Sequence, residues 1–553
     1  MRRLLTTLVL PVAMSLSSAR ASASDARAEE FFGTVRSIEL LGKVYNEVTD
    51  SYVDSIDTSE FVFAGIEGML ESLDPYTVFL DKEESLELGE ITSGQYGGIG
   101  VVIASMNGGV YIVSVFEGFA AHKAGLEVGD RLAQINGRKL ESDSLDMVKG
   151  LLKGAPGSVV RLEVSRRGQP RNLKFRLERE EVMVNSVRSS TLAGSTGYIE
   201  LGTFGSRTRE ELRQAILQLS ASSEGSMNGL VLDLRDNPGG LLDVAVDVAG
   251  LFVEKGSHIV TIKGRERGSA NRYLTTSDPL LEEMPVVVLI NSKSASASEI
   301  VAGALQELDR AVVIGERSFG KGLVQSIVPL PYDCKIKLTS ARYYTPSGRL
   351  IHRYKAPMED ERRAALGISR SDSLKVYYTR NKRKVYGGGG ILPDIMISGR
   401  QPGRYESELL REGLLFRFAR QYRADHTESP SLPLDYEQLL GEFRHFLEKE
   451  DYRYRSEASW RLDDVRESLE REAERPSGLD SIMTHLDEAI LQLARKEVER
   501  ESEDISRSLA VEILRHYSEP LSAKVALNSD PVVSRARELL ASPEEYRAVL
   551  SSP

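Results

Sequence analysis

Several hydroxyl groups stand where an apolar segment of the sequence gives way to a helix-forming one. Residues 285–290 are apolar, residues 292–298 read Ser-Lys-Ser-Ala-Ser-Ala-Ser, and helix-forming residues follow. A serine at a strand-to-helix turn is exposed and lies near free helix amides, which can stabilise an oxyanion. These serines, Ser296 among them, are candidate nucleophiles. Ser296-x-x-Glu299 equally fits a helix capping box, and spacing alone does not separate the two interpretations.

A nucleophilic serine needs a base, and here the candidate is a lysine. His258 is the one histidine within fifty residues of Ser296, and no G-x-S-x-G motif occurs. Lys321 has glycine on both sides, so the backbone can pack closely around it. Burial would lower the pKa of its amine and give a neutral base, whereas a surface lysine in a turn is the alternative. Ser318-x-x-Lys321 matches the S-x-x-K pattern, but the glycines break the required helix and the partner motifs are absent.

An acidic and a basic residue end a third apolar segment, at 229–234. Asp233 and Arg235 share one face of the predicted strand because side chains two apart point the same way. In open α/β sheets ligands bind at the carboxyl ends of the strands. The following Gly239 and Gly240 offer backbone amides without side-chain obstruction. Taken alone, the charged pair also fits a purely structural ion pair.

The chain falls into pieces of different pattern. Residues 24–95 and 401–553 have helical periodicity, and the stretch 446–476 is charged enough to predict a solvated helix or partial disorder. Residues 96–180 carry short strand-like runs with glycine-rich turns, which predict a small β-module. Residues 181–400 alternate between the two patterns and predict an α/β core. The expected core strands are 197–201, 229–234, 285–290 and 311–315, and the expected helices are 207–221, 241–253 and 298–309.

The N-terminus carries the pattern of a secretory signal peptide. Two arginines precede an apolar run at 4–16, and A-x-A sequences end at Ala21 and Ala23. The run is short for a membrane span and contains Pro11, although an uncleaved anchor is the alternative. We therefore expect residues 1–23 to be removed and the mature protein to be exported, periplasmic or otherwise extracytoplasmic.

Composition argues against several functions. The net charge of -11 does not suit nucleic acid as the main partner, because phosphate binding needs basic surface. Cys334 is the single cysteine, and the seven histidines are scattered without an H-E-x-x-H pair. We expect neither a metal nor another cofactor.

The three motifs together resemble those of the C-terminal processing (tail-specific) proteases, in order and separation, over about residues 35–400. In that family the middle serine of S-A-S-A-S-E is the nucleophile and the lysine 25 positions later is the base, which selects Ser296 and Lys321. The resemblance implies a crotonase-like α/β core. It also assigns the remaining site residues, with Gln325 holding the amine, Glu299, Asp233 and Arg235 as supporting residues, and Ala297 and Gly239 as oxyanion donors.

The β-module resembles a PDZ domain. Tyr96 precedes Gly97-Gly98-Ile99-Gly100 and a strand-like run, and consecutive amides in such a loop form a nest for a terminal carboxylate. The sequences at 125–132 and 135–137 are also PDZ-like. The alternative is an ordinary glycine-rich hairpin.

The resemblance implies an exported serine endopeptidase that binds free C-terminal tails of proteins in its PDZ domain and cleaves them with a Ser296–Lys321 pair. A non-catalytic PDZ scaffold and an acyl-CoA enzyme of related architecture are the alternatives. The helical ends leave open a homo-oligomer, an adaptor or an association with a membrane surface.

Overall fold

The computed structural model describes residues 32–551 except 107, 142–143, 224–225, 266–269, 354–374 and 472–477. The predicted signal peptide therefore lies outside the described residues. The chain divides into two compact units, one comprising Met1–Lys82 with Ser326–Thr339 and the other Glu83–Gln325 with Ser340–Pro553.

The first unit begins as the sequence predicts, with helices. Residues 32–51 are helical (α1), and α2 (Thr58–Glu71) and the short strand β1 (Val78–Leu80) follow. The side chain of Asp57 accepts hydrogen bonds from two amides of the first turn of α2, which starts that helix. β1 pairs antiparallel with residues 335–337 of the same unit, a strand partner that helical periodicity does not foresee.

The β-rich module lies in the second unit. It comprises α3 (Lys82–Ser93), β2 (Gln95–Gly98), β3 (Val101–Met106), β4 (Gly109–Val115), α4 (Ala120–Lys123), β5 (Arg131–Ile135), β6 (Arg138–Lys139), α5 (Leu145–Leu152), β7 (Val159–Ser165), β8 (Leu173–Glu178) and β9 (Glu180–Met183). Five strands form a sheet in the order β3-β4-β5-β7-β8, with β6 beside β5. Its core buries Ile112, Ile135 and Val160 against Val148 of α5. β3 is an edge strand of this sheet, and β2 and β9 pair with each other where the chain enters and leaves the module.

The α/β core follows. Its elements are β10 (Val187–Ala193), β11 (Thr196–Leu201), α6 (Thr208–Ser222), β12 (Gly229–Asp233), α7 (Leu242–Ala249), β13 (His258–Gly264), β14 (Ala270–Leu274), β15 (Val286–Ile290), α8 (Ala297–Glu307), β16 (Val312–Gly315), β17 (Leu323–Pro329), β18 (Lys335–Tyr344), β19 (Val376–Tyr378), β20 (Lys384–Tyr386) and β21 (Ile395–Met396). The main sheet has the order β10-β11-β12-β15-β16-β21, parallel from β11 onward and antiparallel at β10. The predicted alternation is confirmed to within a few residues at each strand. A second sheet, in which β13 pairs with β14 and with residues 341–344 of β18, was not predicted.

The C-terminal helical module has the elements α9 (Arg404–Arg411), α10 (Leu414–Asp425), α11 (Tyr436–Lys449), α12 (Glu457–Glu470), α13 (Leu479–Arg515), α14 (Glu519–Asn528), α15 (Pro531–Ala541) and α16 (Pro543–Leu550). The predicted helical character of this region is confirmed. The stretch predicted as solvated helix or partial disorder contains α12, and residues 472–476 within it lie outside the described residues.

The main sheet is covered on both faces, which is why its strands are apolar throughout. β12 and β15 are buried along their whole length. On one face Leu230 and Val288 pack against helices α6, α7 and α8. On the other face Val231 and Val287 pack against α15 and α16. The C-terminal helical module therefore supplies one layer of the core and is not a separate appendage.

Candidate active site

The predicted nucleophile lies in a strained turn between β15 and α8. Ser296 has φ 55° and ψ -114°, a left-handed region that residues other than glycine enter at a cost of about 1–3 kcal/mol. Its amide donates to Glu299 Oε2 at 2.9 Å, and its carbonyl accepts from the amides of Glu299 and Ile300, which opens the helix. Such strain persists only where the surrounding contacts over-determine the turn, and it is common at functional sites.

The hydroxyls of the two neighbouring serines are hydrogen-bonded to backbone carbonyls. The Ser294 hydroxyl donates to the carbonyl of Leu234 at 2.8 Å, and the Ser298 hydroxyl donates to the carbonyl of Asn237 at 2.9 Å. Both side chains are fully buried, whereas Ser296 is partly exposed. Among the three serines, the geometry therefore favours Ser296 as the one that meets a substrate.

A buried carboxylate joins the serine turn to the lysine turn. Glu299 is fully buried and accepts hydrogen bonds from the Ser318 hydroxyl at 2.5 Å and from the amides of Gly320 at 2.7 Å and Lys321 at 2.8 Å, in addition to that of Ser296. The amides of Ser296 and Lys321 share one oxygen, Oε2. Burial raises the pKa of the Glu299 carboxyl, and the four donors act in the opposite direction. The glutamate half of the predicted capping box is thus part of a larger junction.

The predicted base lies in a tight turn, as its flanking glycines suggest. Lys321 Nζ donates to Gln325 Oε1 at 2.9 Å, which is the contact expected for Gln325. Gly320 has φ +90°, and a Cβ there would lie 2.8 Å from Arg353 Cβ. A Cβ at Gly322 would lie 2.8 Å from the amide nitrogen of His352. Both positions therefore require glycine for the turn to pack as it does.

The amides of the two predicted oxyanion donors have different surroundings. Ala297 is the first residue of α8, so its amide belongs to the unpaired first turn of the helix. The amide of Gly239 donates to Asn237 Oδ1 at 2.8 Å, and this contact occupies the donor that we expected to face an oxyanion. The structure gives Gly239 another reason to be glycine, because a Cβ there would lie 2.8 Å from both Ser296 Cβ and the Ala297 amide nitrogen. The hydrogen bond to Asn237 therefore argues against Gly239 as an oxyanion donor. The absence of a side chain at Gly239 keeps the space beside Ser296 open.

The predicted acidic–basic pair forms, and its side chains make their further contacts with Tyr198 and with the C-terminal helical module. Arg235 Nη2 lies 2.5 Å from Asp233 Oδ2, and the Tyr198 hydroxyl donates to the same carboxylate at 2.8 Å. Arg235 Nη1 lies 2.7 Å from Asp530 Oδ2, in the C-terminal helical module. These residues line a cleft of about 770 Å³ between the sheet edge and that module.

Sequence reasoning missed several residues that hold the site. The buried Asn237 side chain donates to the carbonyl of Leu201 at 2.6 Å and braces the loop after β12. The fully buried Tyr343 hydroxyl donates to the carbonyl of Ser296 at 3.2 Å, and burial raises its pKa well above 10. Ser318, considered only as part of an S-x-x-K pattern, also accepts from the Ile391 amide at 2.6 Å. Of these only Asn237 carried a sequence signal, because it directly precedes Pro238-Gly239-Gly240.

The β-module presents an open strand beside a helix. β3 has β4 on one side, and α5 packs next to it. The segment expected to be a carboxylate-binding loop is only partly a loop, because Gly97 and Gly98 end β2 and pair with Glu181 and Glu180 of β9. Ile99 and Gly100, the latter at φ +79°, connect β2 directly to β3. A Cβ at Gly97 would lie 2.0 Å from the carbonyl oxygen of Gly154, so Gly97 packs closely against that backbone. The open edge of β3 suits an extended chain end whose carboxylate meets the junction of β2 and β3.

The site and the fold define a serine peptidase with a peptide-binding β-module. Peptidase family S41 matches residues 195–358, the PDZ domain family matches 90–165, the family described as Activating protease CtpB N-terminal domain matches 10–84, and that described as Probable PDZ-protease, C-terminal helical domain matches 405–540. No cluster of three or more metal-ligating side chains occurs among the described residues. The part of the chain that the structure describes also contains no helix with the length and hydropathy needed to cross a membrane.

The chain is 37% identical over 319 residues to a carboxy-terminal-processing protease of Bartonella bacilliformis, covering 58% of this chain and 73% of the relative. It is 34% identical to carboxy-terminal processing protease CtpB of Bacillus subtilis, covering 58% and 66%. The solved photosystem II D1 C-terminal processing protease is 28% identical, with a TM-score of 0.35 and coverage of 65% and 92%. This chain belongs to the carboxy-terminal processing protease family and is a serine peptidase.

Proposed function

We propose that this serine peptidase is exported, binds the free C-terminal tails of protein substrates in its PDZ domain, and cleaves them with Ser296 as nucleophile and Lys321 as base. The observation that carries the proposal is that Glu299 Oε2 accepts hydrogen bonds from the amides of both Ser296 and Lys321. This shared acceptor holds the two segments in a defined position relative to each other. The commitment of the Ser294 and Ser298 hydroxyls to carbonyl oxygens supports the choice of Ser296.

The proposed chemistry is that of a serine–lysine pair. Neutral Lys321 takes the hydroxyl proton as Ser296 Oγ attacks the scissile carbonyl, and the Ala297 amide stabilises the negative charge that develops on the carbonyl oxygen. Lys321 then gives the proton to the departing amine, which leaves an acyl-enzyme. Water hydrolyses this ester with Lys321 again as base. Gln325 orients the amine through the hydrogen bond between Lys321 Nζ and Gln325 Oε1.

Tail binding rests on the β-module. β3 is an edge strand, so its open side can pair with an extended peptide, and the junction of β2 and β3 within residues 97–100 is the proposed contact of the peptide carboxylate. Export rests on the sequence of residues 1–23 alone. Self-association, an adaptor or a membrane surface as further partners are proposals that the helical ends motivate.

Substitution of the pair tests the proposal. Ser296→Ala and Lys321→Ala should each abolish cleavage and leave the fold intact, because the two residues form one proton-transfer unit. Ser292→Ala and Lys255→Ala change exposed residues of the same types and should cleave like the wild type. A fluorophosphonate should label the wild type and not Ser296→Ala. Cleavage that survives Ser296→Ala would refute the assignment.

A further inference from the structure

The guanidinium of Arg235 contacts two carboxylates, one close to it in sequence and one far from it. Asp233 lies two residues before it, whereas Asp530 lies in the C-terminal helical module. The Arg235 side chain is 18% exposed and that of Asp530 21%. Burial acts to lower the pKa of Arg235, but the two carboxylates hold it above its ordinary value. The cluster is therefore a charged junction between the core and the helical module, largely withdrawn from water.

Asp530 uses its two oxygens for separate purposes. Oδ1 accepts from the amides of Val532 at 2.8 Å and Val533 at 3.1 Å and so caps α15. Oδ2 contacts Arg235 Nη1 at 2.7 Å. Because Val532 and Val533 pack into the apolar layer on β12 and β15, the cap and the sheet fix the position of the carboxylate. Arg235 is thus tied to a rigid element.

The loop that begins at Arg235 is hydrogen-bonded to the segment before Ser296 and packs against Ser296 itself. The amide of Asp236 donates to Asn291 Oδ1 at 3.0 Å. The carbonyl of Asn237 accepts from the amide of Ala295 at 3.1 Å. At its end, Gly239 lies against Ser296, as the short distances to a Cβ there show. A shift of Arg235 would therefore be passed to the turn that holds the nucleophile.

We propose that Asp530 is a positioning residue of the peptidase, acting through Arg235 on the loop 235–239 and thereby on Ser296. The proposal rests on the proposed role of Ser296 as nucleophile. It gives the C-terminal helical module a part in catalysis in addition to its packing on the sheet. The contact spans 295 positions of sequence, so truncation of the chain before α15 would remove it.

The test compares two substitutions that are chemically identical. Asp530→Asn keeps the oxygen that caps α15, since asparagine caps as well as aspartate, but removes the charge that binds Arg235. The control is Asp435→Asn, because Asp435 caps α11 through the amides of Glu437 and Gln438 and forms no ion pair within the described part of the chain.

Both variants are measured in the full chain with a short peptide substrate and with a fluorophosphonate that labels Ser296. Asp530→Asn should lower kcat and the labelling rate by about tenfold, with KM within the range of the control. Its urea midpoint should fall below that of the control, because an ion pair largely withdrawn from water is lost, while the chain stays folded under the assay conditions. Arg235→Gln should lower kcat further, and adding Asp530→Asn to it should change nothing more, because both act through one contact.

Three results would overturn the proposal: wild-type kcat in Asp530→Asn, an equal loss of kcat in Asp435→Asn, or additive losses in the double variant. Failure of the underlying function has a different signature. In that case Ser296→Ala would retain activity or labelling, whatever Asp530→Asn does.

Discussion

Acid should loosen the contact between the PDZ domain and the C-terminal helical module, because that contact buries a histidine. His516 caps the C-terminus of α13, and a Cβ at Gly129 of the PDZ domain would lie 3.2 Å from its ring. The centroids of the Phe416 and His516 rings lie 5.2 Å apart. A helix C-terminus favours a protonated histidine. Here burial outweighs that preference and lowers the pKa of His516 to about 4.

The sign of the effect follows from the depressed pKa. The unfolded chain protonates this histidine near its ordinary value of about 6.5, whereas the folded protein resists protonation until about 4. The folded state therefore loses stability as the pH falls from about 6.5 towards 4. At about pH 4.5 the loss amounts to about 2–3 kcal/mol, and at about pH 7.5 it is negligible. The neighbouring Arg515, Arg420 and Arg423 also lower the pKa of His516, and a hydrogen bond with the backbone of Val128 acts in the opposite direction.

The assay uses the single tryptophan. Trp460 lies on α12 of the same module, so its fluorescence during urea titration reports the unfolding of the helices. His516→Leu should remove the acid sensitivity, so the difference in unfolding free energy between wild type and variant should shift by about 2–3 kcal/mol between the two pH values. His485→Leu, at an exposed position of the same helix, should follow the wild type. Parallel acid destabilisation of wild type and His516→Leu would refute the reasoning.

Two further predictions concern recognition and the core. Amidation of a long substrate's C-terminus removes charge-assisted hydrogen bonds of about 1.5–3 kcal/mol each, so KM should rise about tenfold or more, while a short peptide that fits only the catalytic cleft should be insensitive; equal cleavage of acid and amide tails would refute tail recognition. Arg349→Met should cost about 3–5 kcal/mol in thermal unfolding, because it leaves the carboxylate of Glu307 buried without its charged partner and with the Ser347 amide still donating to it, and both side chains are at most 1% exposed. Arg471→Met breaks a surface pair with Glu467 and should leave the midpoint unchanged; a wild-type midpoint for Arg349→Met would contradict the argument.

The sequence predicted the core strands well because their signal is local. A strand such as β15 is buried on both faces, so an unbroken apolar run marks it. The second sheet escaped prediction because its strands are mixed in polarity. β18, for example, is only partly buried along most of its length and contains lysine, threonine, serine and arginine. Such strands are held by their neighbours, and period alone does not identify them.

The site shows the same division. The glycines beside Lys321 and the small residues around Ser296 let the backbone pack closely, and such residues can be recognised in the sequence. The direction of the Gly239 amide was not predicted, although its contact with Asn237, two residues earlier, is a local one of the Asx-turn kind. Only the fold shows that a Cβ at Gly239 would meet Ser296.

The sequence by itself marked the candidate serines, Lys321, the glycine-rich segment of the β-module and the order of the pieces, since each depends on neighbouring residue types. The choice of Ser296 and Lys321 as nucleophile and base came from the resemblance to a family. The tertiary structure decided which side chains meet across long separations. Glu299 accepts hydrogen bonds from amides of two separate segments, and Asp530 forms an ion pair with Arg235. The ring of His516 packs closely against Gly129. These contacts depend on how whole elements pack, and packing is set by the sum of many weak contacts that no local pattern records.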